Sequence, residues 1–431
     1  MSNFLNKRGR GHKASPLMLF VAILVFIGCG TLDFPNPNAP IADDVTIQSL
    51  VTGAEAGLRI DYAIYLRVVG TLSREVYYFE PADPRYTGEL LFGTPDPGGF
   101  LTTRPWSARY RAIANCRFLL ARNAGPGVDG FANTMIAYQL WLNLFYMDQN
   151  GIKLDFSGDL SAPFASKAEA LDAIHDYLDQ AYTSLNNAGS AFPFSLSNGF
   201  AGFNTPTEFA KFNRALNARV SIERGDYGHA LEDLAASFLN PAAPLNLGVY
   251  HVYGTGLADQ LNEMYESPDA PFVKLMAHPT FETEAEAGDQ RFANKTADHI
   301  PETFDGLTSD LAVTITNSST DPLPIIRNEE LLLLRAEANI GLGNYAAAAN
   351  DLNIVRAAAG LGPVTLDASN AVDRLLYEKR YSLFMEGHRW GDLRRYNRLN
   401  QLPIDRSGDA VISQMPRPET EIEEAGGGGM R

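Results

Sequence analysis

Residues 324–398 constrain this chain most. They spell a helix, a tight turn and a second helix, followed by a charged and aromatic cluster. Leu331, Leu332, Arg335, Ala336 and Asn339 recur at helical spacing. Gly341 and Gly343 are expected to end that helix, because glycine accepts the left-handed backbone that a helix terminus needs. Asn344 is then placed to cap the next helix through its side-chain oxygen. Tyr345, Ala348, Leu352 and Val355 carry the apolar face of this second helix towards Gly360. The same grammar occurs earlier, where Gly225-Asp226-Tyr227-Gly228-His229-Ala230 matches Gly343-Asn344-Tyr345-Ala346-Ala347-Ala348 with Asp for Asn.

This is the turn of a tetratricopeptide-type helical hairpin. Two copies more than a hundred residues apart do not make a regular array. The fold class read from them is mainly α, a tetratricopeptide-like helical hairpin scaffold with a long irregular, loop-rich insert. The scaffold covers 44–80, 106–238 and 324–400, and the irregular region covers 240–325, all within a domain over 44–420. Glycines mark a flexible tail over 421–431. Within the scaffold, Ser166 is a candidate N-cap for a helix over 167–185. Residues 81–105 read as a long aromatic loop with Trp106 opening the next helix, and 240–325 holds short β-like runs at 249–253 and 311–315.

The N-terminal residues read as a targeting signal over 1–28. Lys7, Arg8, Arg10 and Lys13 form a basic region, and the apolar run LMLFVAILVFI follows. That run is too short to span a bilayer. Gly28-Cys29 comes next and looks like a bacterial lipoprotein cleavage site, although Phe26 stands where the usual pattern has Leu. Lipid on Cys29 would tether the mature chain without a membrane-crossing helix, through a proline-rich stretch over 29–43. Cys116 would then be alone and reads as a small buried apolar residue.

An ordered set of motifs carries a family resemblance. It runs Arg327-x-x-Glu330-x-x-Leu333-x-x-Ala336-Glu337-Ala338, Asn353-x-x-Arg356-x-x-Ala359-Gly360, Glu378-x-Arg380 and Glu386-Gly387-His388-Arg389-Trp390-x-Asp392-Leu393. This set resembles the SusD/RagB family. The resemblance implies a lipoprotein of the outer membrane, surface-exposed, that binds a glycan or other oligomeric nutrient. It also implies a SusC-like TonB-dependent transporter as partner, no catalysis and no cofactor. The chain departs from the family pattern at Asp148-Gln149-Asn150-Gly151, where a proline-containing loop is usual.

The side chains fit that expectation without proving it. No HExxH, GxSxG or nucleotide-binding glycine pattern is present. With 51 acidic against 35 basic residues the chain is unsuited to nucleic acid, which needs clustered Lys and Arg. Glu386 and His388 could pair as acid and base, but the motif reads as packing, with Glu378, Arg380, Glu386, Arg389 and Asp392 paired among the last helices. Glu282, Glu284, Glu286 and Asp289 offer oxygen ligands for a structural calcium ion but lack EF-hand spacing, and a solvated charge run is the other reading. Sugars stack an apolar ring face on aromatic side chains. The candidates are Tyr77, Tyr78, Tyr86, Phe92 and Trp106 near the first loop, and Tyr250, Tyr253 and Tyr265 in the second. A tetratricopeptide-type protein-binding adaptor and a secreted glycoside hydrolase stay open beside the glycan-binding reading.

Overall fold

A computed structural model describes residues 45–421, apart from Gly158, Leu160 and Ala258. Cys29, the basic and apolar runs before it, the whole proline-rich stretch and residues 422–431 of the glycine tail lie outside the described residues. The helices are α1 (Ile47–Arg59), α2 (Tyr62–Leu72), α3 (Phe100–Ala121), α4 (Pro126–Met147), α5 (Lys167–Asn186), α6 (Pro206–Arg224), α7 (Tyr227–Ala236), α8 (Asn328–Gly341), α9 (Tyr345–Ala358), α10 (Ala371–Ser382) and α11 (Arg389–Arg395). The strands are β1 (Val76–Tyr78), β2 (Gly248–His251), β3 (Leu275–Ala277), β4 (Thr296–Phe304), β5 (Leu307–Val313) and β6 (Leu323–Arg327). Shorter helical turns lie between them. The mainly α scaffold built on hairpins is as the sequence reads.

The two hairpins share a turn but not a cap. Gly225 and Gly343 both take left-handed backbone, with φ of 73° and 78°. Asp226 caps α7, accepting from the His229 N–H at 3.2 Å. Asn344 makes no such bond to α9; its amide donates to Asn339 Oδ1 at 3.4 Å instead. Gly341 is the last residue of α8, and its missing side chain has another use. A Cβ there would lie 2.2 Å from Cε2 of Tyr227. The tyrosine of the first hairpin thus lies against the second. In α5, Ser166 forms the full capping box with Glu169.

The region 240–325 is more regular than its sequence suggests. β1, β3, β5 and β4 make one antiparallel sheet, and β2 pairs with β6 in a separate ribbon. Asp305 and Gly306 join β4 to β5 with φ of 52° and 76°, as a two-residue primed hairpin turn requires. Helical periodicity fails here because the segment is built of short strands, and β1, β2 and β3 find partners distant in sequence. The 81–105 segment is likewise partly helical: α3 starts at Phe100, so Trp106 lies inside it.

Buried ion pairs tie the helices together. Arg219 of α6 meets Glu330 of α8 with two 2.8 Å bonds. Glu337 of α8 accepts from Lys379 of α10 at 2.9 Å and from Arg395 of α11. Lys379 also reaches Asp392, and Arg395 reaches Glu223 at 2.9 Å. Burial pushes Glu330, Glu223 and Asp392 up. The facing cations, Arg219, Arg395 and Lys379 respectively, more than reverse this and hold all three below the usual carboxylate range.

Three outcomes follow for stability. Gly341→Ala should displace the Tyr227 ring and cost about 1–3 kcal/mol, read as a lower denaturation midpoint; an unchanged midpoint contradicts that contact. Lys379→Met leaves Glu337 and Asp392 short of a cation and should cost about 3–5 kcal/mol in the same assay. A carboxyl whose pKa falls on folding adds stability above its unfolded pKa and loses it as pH falls through the folded value. Acid titration of the fold should therefore show stability declining below about pH 4, and a fold indifferent to acid contradicts the network.

Candidate functional site

The β2–β6 ribbon positions one tyrosine where two clefts meet. Val249 lies opposite Ile326 and Tyr250 opposite Pro324, so the register slips between Val249 and Tyr250. A bulge of this kind re-aims a side chain. Gly199 lets the backbone of a neighbouring turn lie against the Tyr250 carbonyl, since a Cβ there would be 2.1 Å from that oxygen. Tyr250, half-buried, then lines both clefts.

The first cleft, about 340 Å³, lies between α2, β6, the turn Gln290–Lys295 and residues 382–386. Its apolar wall includes Leu66, Ile315 and Phe384, and its polar wall includes Asn294, Lys295 and Glu386. Lys295 donates to the Tyr381 carbonyl at 2.9 Å and to that of Ser382. Burial pulls its ammonium down to about 8. Arg327 grips Glu386 with Nε at 3.0 Å and a terminal nitrogen at 2.7 Å. An apolar face beside fixed donors and acceptors is what a sugar ring needs.

The second cleft, about 460 Å³, is bounded by α1, residues 197–200, β2 and the segment that follows it. Glu55 accepts from the Ser197 N–H at 3.1 and 3.2 Å, and burial pushes its carboxyl up to about 7. Arg59 pairs with Asp259 at 2.8 Å. His251 lies 3.1 Å from the Tyr138 hydroxyl, and burial holds it well below 6.5, hence neutral at pH 7. A third cleft, about 240 Å³, is lined by Trp106, Tyr110, Phe156 and Asp155.

Most of the aromatics expected near the first loop are packing residues. Tyr77 and Tyr78 belong to β1 and are buried; Tyr77 lies 5.5 Å from Phe79 and Tyr78 4.7 Å from Tyr86. Tyr86 is buried as well. Trp106 is 3% exposed and donates to Glu421 at 3.0 Å, with its edge reaching the third cleft. These four have little face left for a ligand, because β1, the short turn Arg85–Gly88 and α3 pack their rings into the interior. Phe92 is 37% exposed, with Arg406 stacked on it at 4.7 Å. Tyr253 packs under Arg59 at 5.8 Å, and Tyr265 is half-buried outside the two Tyr250 clefts. Of the expected aromatics, Tyr250 lines both clefts of the ribbon, beside Lys295 and Glu386 in the first and Glu55 and Arg59 in the second.

The motif Glu386-Gly387-His388-Arg389-Trp390 is built into the scaffold. Glu386 is held by Arg327, His388 lies 3.6 Å from Glu330, and Trp390 donates to the Ile412 carbonyl at 2.9 Å. The expected pairing among the last helices holds for Asp392, which meets Lys379 and Arg395, and is corrected for the others: Glu378 binds Arg291 and Arg356, Arg380 binds Glu284, and Arg389 donates to the Ser73 carbonyl. Those partners lie far off in sequence, where no periodicity points to them. The acidic run is spent on cations too, with Glu284 on Arg380, Glu286 on Arg356 and Arg374, and Asp289 on Arg291. Glu282 stays exposed. No group of three or more metal-ligating side chains occurs among the described residues. Lys295, Glu55 and Arg59 were not singled out by the sequence, which marks no isolated charge as cavity-facing. Cys116 is buried, and burial pushes its thiol up to about 12.

Residues 281–425, about a third of the chain, match the SusD family. No curated protein matches the sequence. Among solved structures, a SusD superfamily protein from Bacteroides vulgatus ATCC 8482 aligns with a TM-score of 0.66 at 14% identity, over 89% of this chain and 97% of that one. Surface glycan-binding protein A from Bacteroides thetaiotaomicron, in complex with laminarihexaose, aligns at 0.68 and 13% identity, over 88% and 97%. A laminarin-binding SusD-like protein aligns at 0.60 and 18% identity, over 86% and 97%. Residues 281–425 thus match the SusD family in sequence, and most of the chain has a fold similar to that of SusD-like proteins.

Proposed function

We propose that this protein captures an oligosaccharide without chemical conversion and passes it to a SusC-like TonB-dependent transporter. It would do so at the outer membrane, held by lipid on Cys29. The observation that carries this reading is the fold shared with a protein solved in complex with laminarihexaose. The first Tyr250 cleft supports it: a tyrosine and apolar side chains lie beside Lys295, Asn294 and Glu386, and the space suits one or two sugar units. Glu386 is clamped by Arg327, which fixes its carboxylate oxygens at the wall of the cleft. The helices of the second hairpin spend their apolar stripes on each other, Leu332, Leu333 and Ile340 against Leu352 and Val355, so those side chains offer no face to an adaptor's partner. The reading needs no cofactor. No helix among the described residues is long and apolar enough to cross a membrane.

Two experiments test it. A panel of laminari-, malto-, xylo- and pectic oligosaccharides, titrated by calorimetry, identifies the tightest binder. Tyr250→Ala should weaken that ligand about tenfold or more with an unchanged melting temperature. Undiminished affinity would move the site away from Tyr250. Separately, Cys29→Ala should abolish fatty-acid labelling and release the protein from membranes; a variant that still takes the label contradicts the anchor.

A further inference from the structure

We propose that the second Tyr250 cleft binds a small ligand through a primary ammonium group, with Glu55 as its counter-ion. This goes beyond the glycan reading of the first cleft and does not depend on it. The cavity measures about 460 Å³, room for a ligand of one or two sugar units. What its walls leave unmatched decides the ligand's charge. Arg59 is committed to Asp259 at 2.8 Å and to the Val252 carbonyl. An anion entering the cleft would meet a guanidinium already paired. Glu55 is in the opposite position. Its bonds come from Ser197, and it forms no ion pair among the described residues. A neutral ligand leaves that carboxyl as it is, whereas an ammonium supplies the missing charge and three N–H donors. Hydroxyls of Thr52 and Ser197 line the same space and can take the remaining donors.

The groups facing Glu55 set the sign of the pH dependence. Arg59 lies one turn further along α1 and favours ionisation of Glu55. Asp259, from the segment after β2, offsets Arg59. His251 of β2 stays neutral. Tyr250 and Ser197 bring no charge at neutral pH. With its carboxyl pushed up to about 7, Glu55 is largely ionised above that pH and largely neutral below it. Ammonium binding is therefore strongest from pH 7 to the point where the amine itself deprotonates, and weakens as Glu55 takes up a proton.

An amine on a sugar and an amine on a flexible chain share this chemistry, and the probes separate them. The full chain is titrated by calorimetry at pH 7.5 with glucosamine, N-acetylglucosamine and putrescine. Glucosamine should bind at least tenfold more tightly than N-acetylglucosamine, whose amide carries no charge. Its dissociation constant should rise about tenfold for each pH unit well below 7. Glu55→Gln keeps an acceptor for Ser197, so it should fold normally, lose glucosamine at least tenfold and show no such pH dependence. Oligosaccharide binding in the first cleft should survive that variant, so the two readings fail separately. Putrescine equal to glucosamine assigns the site to amines in general; putrescine tenfold weaker assigns it to amino sugars. Equal binding of the amine and the amide, no binding of either amine, or an unaltered Glu55→Gln variant overturns the proposal. Should Glu55→Gln not fold, the wild-type pH profile decides alone, and a flat profile between pH 5.5 and 7.5 overturns it.

Discussion

The structure depends on charges that helices bury against one another. Arg219 with Glu330, and Glu337 with Lys379 and Arg395, join α6, α8, α10 and α11 across positions that water scarcely reaches. Each partner left alone would be a buried unpaired charge, so the pairs specify one arrangement of helices and penalise the others. Whether they add net stability over apolar residues of the same size is a separate matter. Their value here is register: each acid fits one cation on another helix.

That register places the candidate binding surface. Arg327 ends β6 and holds Glu386, which follows α10 in the chain. The grip brings the ribbon of β2 and β6 against the turn after α10, and the first cleft is the space left between them. The slip in register at Tyr250 then aims one aromatic ring at this space and at its neighbour. The same charged motif therefore supports the scaffold and borders the candidate cleft. Glu55 and Lys295 differ from the network acids in kind. Each is shifted towards neutrality by burial, whereas the network acids are held ionised by cations.

Local features were legible in the sequence, and distant ones were not. The Gly-(Asp/Asn)-Tyr turns, the Ser166 cap and the apolar stripes of the long helices depend on residues a few positions apart, and they stand. The ordered motifs from Arg327 to Leu393 reach further because several constraints fall in one stretch, and the SusD match over residues 281–425 agrees with them. The strands of 240–325 were blurred because β2 and β3 are short and pair with partners far away, although Asp305-Gly306 between β4 and β5 was a usable hairpin signal. The site was half legible. Tyr250 was among the aromatics the sequence offered, yet Tyr77, Tyr78, Tyr86 and Trp106 looked the same and are packed inside. Composition marks an aromatic residue, but burial is decided by the sheet and helices around it.

The most direct test of the central claim is hydrogen–deuterium exchange with and without a saturating cognate oligosaccharide. The account predicts slowed exchange in β2, in residues 291–295 and in the segment around Ile315 to β6, with α5 and α9 unchanged. Protection confined to residues 80–100, or to the outer faces of the hairpins, would contradict it.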